Sequence, residues 1–224
     1  MIKEIITDLD KLDDRAEEVD CLKENSIVRE TTLNLKHTMQ AKNLTYLTGP
    51  QIGVNKRIMC INFNGDIRTF VNPILGAVKG FVLSREDCAS IPGKEYILPR
   101  NAEVQIIYQT PTGKTQSNKL KGRAAFVAQA AVQALDGLYI SDVGLPVLDG
   151  WDDLSEEEKD SVISDYLDSL DMKKKDIDKE IKEDKILNDT KEAIDFIQSV
   201  ASGETALEKV WWIILSRYLI FHLR

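Results

Sequence analysis

Apolar positions recur at mostly helical spacing over residues 24–43, where Ile27, Leu33, Leu35 and Met39 stand among threonines and charges, and the pattern predicts an amphipathic helix. From Lys56 the period shortens. RIMCINF and RTFVNPIL are short β-rich runs separated by Asn-Gly-Asp, which predicts a hairpin. Further strands are predicted over 78–83, 96–98 and 102–108, the last ending at a TPTGK turn. Residues 121–138 (KGRAAFVAQAAVQALDGL) then read as an alanine-rich helix that stops near Gly137. Its residues Phe126, Val127, Ala130, Ala131, Ala134 and Leu138 share one broad face. Several short strands in succession, flanked by helices, predict an α+β fold.

Beyond Gly150 the texture becomes charge-dense helix. DLSEEEKDSVISDYLDSL carries Ser155 with Glu158 three residues on, a capping-box pattern. Residues 173–185 alternate in charge and read as a solvated helix or a mobile linker, and 191–200 predict a further helix. The last segment, 204–224, contains VWWIILSRYLIFHL. It is shorter than the ~20 apolar residues that a spanning helix needs, and Arg217 interrupts it. A docking helix is therefore expected, with Trp211, Trp212, Tyr218 and Phe221 as anchors for a protein partner or for self-association. The division expected is a domain over 1–148 and an acidic helical extension over 149–224.

Charge supports that division. Residues 1–150 carry 18 basic and 18 acidic side chains, the remainder 11 and 19, so the net charge of −8 resides in the last third. Neither part shows the basic stripe of a nucleic-acid binder. The 43% hydrophobic content is enough for a real core. The N-terminus lacks the basic start and apolar run of a secretory signal, which predicts an intracellular, cytoplasmic protein. Three cysteines, Cys21, Cys60 and Cys88, have no paired spacing and do not suggest a disulfide framework. Only two histidines exist, His37 and His222, which leaves few of the commonest metal ligands.

Three stretches carry a resemblance. TGPQIGV at 48–54, REDCASIP at 85–92 and VAQAAVQALDG at 127–137 resemble the three signature motifs of peptide deformylases, in the family's order, with VNPIL, ILPR and a closing strand LYISD around them. The resemblance implies a metal-dependent hydrolase of N-formyl groups. In such an enzyme a divalent ion generates hydroxide, a carboxylate moves the proton, and donors hold the oxyanion. It further implies a thiolate at Cys88, two histidines at helical i and i+4 spacing, a glutamate beside the first, and an oxyanion site from Gln51 and the backbone N–H of Ala89. With Gln51 and Ala89, Arg100 is among the substrate-binding positions that the resemblance implies, and it stands where the family has an arginine that fixes the loop after the second motif, so it is read as a fold residue first.

The departures are concentrated on the chemistry. Ala130 and Ala134 occupy the positions of the histidine ligands, and Ala131 that of the glutamate. One thiolate does not hold a catalytic ion that ordinarily takes three protein ligands. Leu44 and Tyr46 stand where the family has glycines and are expected to fill the substrate approach, while Asp87 and Ala89 alter the second motif. The expectation is a catalytically silent, deformylase-like assembly or binding component with no cofactor; iron, nickel or zinc would belong only to a restored site. Two alternatives stand beside it: a deformylase whose site has been replaced by alanine, and a non-hydrolytic binder of N-terminal peptides using Gln51 and the strand edge near Ile91. Deformylase-like genes also occur in bacteriophages, which admits a virion component.

Overall fold

Helix α1 (Asn25–Lys42) turns Val28, Thr31, Asn34, Leu35, Thr38 and Met39 inward. This stripe differs from the one predicted, because Ile27 and Leu33 project outward at 37% and 52% exposure. Two threonines at the right angular positions take their place, showing that spacing outranks hydropathy when a helix seats itself. The helix ends at Asn43, whose left-handed backbone (φ 52°) accommodates the turn. The computed structural model describes residues 1–170, so the predicted features of 173–224, with Trp211, Trp212, Tyr218, Phe221 and His222, lie outside the described residues.

Five antiparallel strands follow one another across a sheet: β1 (Tyr46–Thr48), β2 (Ile58–Phe63), β3 (Asp66–Cys88), β4 (Ile91–Gln109) and β5 (Thr115–Lys121). A sixth, β6 (Leu145–Pro146), pairs with β4 at Tyr96 and Ile97. The β2–β3 hairpin turns at Asn64 and Gly65, both at positive φ, as a two-residue hairpin turn requires. The strand predicted over 78–83 is not separate. It is the middle of the 23-residue β3, which pairs with β4 from Val71 to Cys88 through register shifts near Asn72, Gly76 and Asp87. Likewise 96–98 and 102–108 belong to the single strand β4.

Alternation along these strands divides the core. On β1 Tyr46 faces one way and Leu47 the other; on β2 Met59 and Ile61 oppose Ile58 and Cys60; on β3 Phe70 opposes Val71. The Leu47 side packs with Val28, Leu35 and Met39 of α1. The Tyr46 side packs with helix α2 (Arg123–Leu135), so the sheet lies between two helices. Helix α2 is buried from Ala128 to Val132 without a break, which its small side chains permit.

The end of α2 is built by buried polar contacts. Arg57, 1% exposed, donates from Nη1 to Asp136 and to the carbonyl of Leu135, and from Nε and Nη2 to the carbonyl of Pro73. A cation at the last carbonyls of a helix is favourably placed. Gly137 (φ 77°) then turns the chain so closely that a Cβ there would lie 2.1 Å from the carbonyl oxygen of Asp13. Leu138, predicted on the shared face of α2, falls beyond this turn and is exposed. LYISD is not the closing strand that was expected. Asp142 Oδ2 accepts from the Tyr139 backbone N–H at 2.7 Å, and this cap starts the short helix α3 (Ile140–Val143) instead.

Helix α4 (Glu156–Ser169) begins at the predicted box: Ser155 accepts from the Glu158 N–H, and Glu158 accepts from the Ser155 N–H. Its residues Ile163, Tyr166 and Leu167, with Leu170 just beyond, pack on Phe81 and Leu83 of β3. Those positions alternate with Glu86, which turns towards α2. The tie is completed by Tyr166 Oη donating to the Val143 carbonyl at 2.7 Å and by Arg85 paired with Asp152.

Candidate functional site

Strand β1 delivers Tyr46 to the α2 face of the sheet, and the end of β3 delivers Cys88 to the same cluster. Tyr46 Oη donates to Cys88 Sγ at 3.4 Å, with both residues buried. Ala130, Ala131 and Ala134 of α2 belong to that cluster as well, together with Ile91, Tyr96 and Tyr139. The fold therefore brings Cys88 and the three alanine positions together, as the motifs imply. What it assembles around the thiol is apolar packing, a phenol and the side-chain amide of Gln51.

Gln51 sits in the 3-10 turn Pro50–Ile52, and all of its polar atoms are engaged. Its Oε1 accepts from the Thr48 N–H and hydroxyl, while Nε2 donates to Ser90 Oγ at 3.0 Å and lies 3.7 Å from Cys88 Sγ. It thus ties the first motif to the second. Leu44 and Ala89 pack against the cluster on the α1 side of the sheet. Of the two bulky first-motif residues, only Tyr46 reaches Cys88. Arg100 is held on three sides, with Nε and Nη2 on the two carboxylate oxygens of Glu86 at 2.8 and 2.7 Å and Nη1 on Gln133 at 2.6 Å. Gln129 mimics a strand partner: it accepts from the Asn101 N–H and donates to the Asn101 and Ala125 carbonyls, clamping α2 to β4.

Burial pushes the Cys88 thiol above its ordinary value, which the Tyr46 hydroxyl and nearby backbone donors only partly offset. Burial, followed by the proximity of Cys88, lifts the Tyr46 phenol well above its own. Tyr139 is raised by burial and then by Cys88, and its hydroxyl has no hydrogen-bond partner among the described residues. In the sequence Tyr139 falls in LYISD, which reads as a strand, and no signature position marks it as a site residue. Arg57 escaped the sequence reading because nothing in one sequence marks an arginine as buried.

A divalent ion does not fit this arrangement. Two of the three protein ligands are missing, and the Cys88 sulfur already accepts from the Tyr46 hydroxyl and from Gln51 Nε2. The alanines offer no donor, and among the described residues no group of three or more His, Cys, Asp or Glu side chains is placed to hold an ion. His37 lies elsewhere, exposed on α1 beside the backbone nitrogen of Met1. No helix among the described residues is long and apolar enough to cross a membrane.

Comparison with known proteins places this geometry. The chain is 32% identical over 115 residues to a peptide deformylase of Dictyoglomus turgidum, spanning 51% of this chain and 75% of that protein. It is 31% identical over 115 residues to a peptide deformylase-like protein of Bradyrhizobium diazoefficiens, covering 50% and 68% respectively. Among solved structures, the peptide deformylase of Thermotoga maritima superposes with a TM-score of 0.60 at 23% identity over 63% of this chain and 97% of that one. A class I type b peptide deformylase of Acinetobacter baumannii superposes equally well at 20% identity, over 63% and 99%. At these identities the superpositions speak for the fold alone. The sequence model of the polypeptide deformylase family extends over residues 2–145, well over half of the chain. By that match the chain belongs to the peptide deformylase family.

Proposed function

We propose that this chain is a non-catalytic member of its family that serves as a structural or protein-binding component. The observation that carries the reading is the Tyr46 hydroxyl on the Cys88 thiol, inside an apolar cluster with Ala130, Ala131 and Ala134. Hydrolysis of a formyl group needs an activated water and a base, whereas among the described residues no group of three or more His, Cys, Asp or Glu side chains is placed to hold an ion, and Ala131 stands where the family has its glutamate. The residues kept from the third motif have structural uses: Gln129 clamps α2 to β4, Leu135 packs in the core, and Gly137 makes a turn no other residue fits. Their retention therefore does not argue for an active deformylase.

The test is metal content and turnover on the purified full chain. The reading expects less than stoichiometric iron, nickel or zinc and no release of formate from formyl-methionyl peptides. Stoichiometric metal with turnover would overturn it in favour of the enzyme. For the docking part of the proposal, the segment with Trp211, Trp212, Tyr218 and Phe221 is the contact element. Deleting 204–224 is expected to abolish self-association or partner co-purification, and an unchanged assembly would count against it.

A further inference from the structure

We infer that Tyr46 is a plug: it occupies the space from which an ion would reach Cys88, so the site is closed by packing rather than only emptied of ligands. The inference rests on the non-catalytic reading and names the residue that enforces it. A thiolate-bound ion sits about 2.3 Å from sulfur on an open side of the ligand. Here the phenol of Tyr46 lies 3.4 Å from Cys88 Sγ, Gln51 Nε2 stands 3.7 Å away, and Ile91, Tyr96 and Tyr139 belong to the same buried cluster.

The placement of Tyr46 is imposed by the sheet. Its register opposite Ile61 on β2 and the two-residue period of β1 send its side chain to the α2 face, and Leu47 to the other. No neighbouring rotation of the strand avoids this without inverting both clusters. At a position where the resembling family has glycine, the phenol fills volume beside three alanines where longer side chains would need room. The small residues on α2 and the large one on β1 are thus complementary, and imidazoles at 130 and 134 would overpack the cluster while Tyr46 remains. Replacing the alanines alone does not reopen the site.

Cobalt titration of the full chain tests this directly. Ala130→His/Ala134→His is expected to bind Co²⁺ no better than the unaltered protein. Adding Tyr46→Gly is expected to tighten binding about 100-fold, as release of a blocked site should, and to produce a thiolate-to-cobalt absorption that Cys88→Ser removes. The same absorption in the two-histidine variant at equal Co²⁺ overturns the inference, as does its absence from the folded three-substitution variant.

A second measurement needs no designed ligands. Tyr46→Gly alone should raise alkylation of Cys88 by iodoacetamide ~10-fold or more, since access governs a buried thiol. Cys60, buried on the opposite face of β2, reports whether the fold is intact. An equal rise at both cysteines, or at neither, overturns the plug. Formate release by the unaltered chain would instead defeat the non-catalytic reading, so the two failures are distinguishable.

Discussion

The Arg100–Glu86 pair offers a sharp test of whether Arg100 serves the fold or a substrate. Arg100 is 1% exposed at its side chain and Glu86 11%, with two hydrogen bonds between them and a third from Arg100 to Gln133 of α2. Removing one member leaves a charge in the interior without its partner, which costs about 3–5 kcal/mol. Replacing both by apolar residues of similar size removes the uncompensated charge together with the attraction. Arg100→Met is therefore expected to lose about 4 kcal/mol, and Glu86→Met a similar amount, while the double variant loses markedly less than the sum, with a coupling of about 2 kcal/mol or more. Urea unfolding of the four proteins, followed by circular dichroism, measures the cycle. Single losses below about 1 kcal/mol that add within about 0.5 kcal/mol would refute the reasoning.

Other expectations follow from the packing. Gly137→Ala combines a backbone at φ 77° with a Cβ 2.1 Å from the Asp13 carbonyl, and should cost at least about 2 kcal/mol in thermal unfolding. Ser155→Ala removes the cap of α4 and should cost about 1 kcal/mol, seen as lost hydrogen-exchange protection confined to 156–169. Stability should also fall with rising pH. Burial raises Cys60 to about 11 and Tyr166 to about 12, and lifts Cys88, Tyr46 and Tyr139. Each stays neutral in the fold after its unfolded counterpart ionises, so the cysteine contributions are complete below about pH 9 and the tyrosine contributions below about pH 10, and each is lost above that, by up to about 1.4 kcal/mol per pH unit per group until the folded group itself ionises. A urea midpoint that holds constant from pH 8 to pH 10.5 would contradict this.

Much of the architecture was legible in the chain because it rests on local rules. Asn64-Gly65 made the hairpin, Gly137 ended α2, and Ser155 with Glu158 opened α4 where the residue types said they would. Errors arose where pairing or capping overrode the local pattern. Strand 78–83 could not be seen as part of a longer β3, since its continuity depends on β4, nor LYISD as a helix start, since that depends on the Asp142 carboxylate reaching back to Tyr139. The buried face of α1 differs from the apolar pattern because Thr31 and Thr38, not Ile27 and Leu33, lie on the covered side of the helix.

For the site, residue identity alone established that Ala130, Ala131 and Ala134 bring no ligand and no base, because a methyl group has no donor atom in any fold. The sequence marked Tyr46 and Cys88 only by their motif positions and placed neither on a predicted strand, so it did not say which way either points. Tertiary structure decided that. The sheet register turned both side chains to the α2 face and set the phenol on the thiol, while the same alternation sent Leu47 and Cys60 to α1. A side chain's chemistry is local, but whether it blocks, binds or packs depends on which face of the sheet it occupies. That choice is made by strands far apart in sequence.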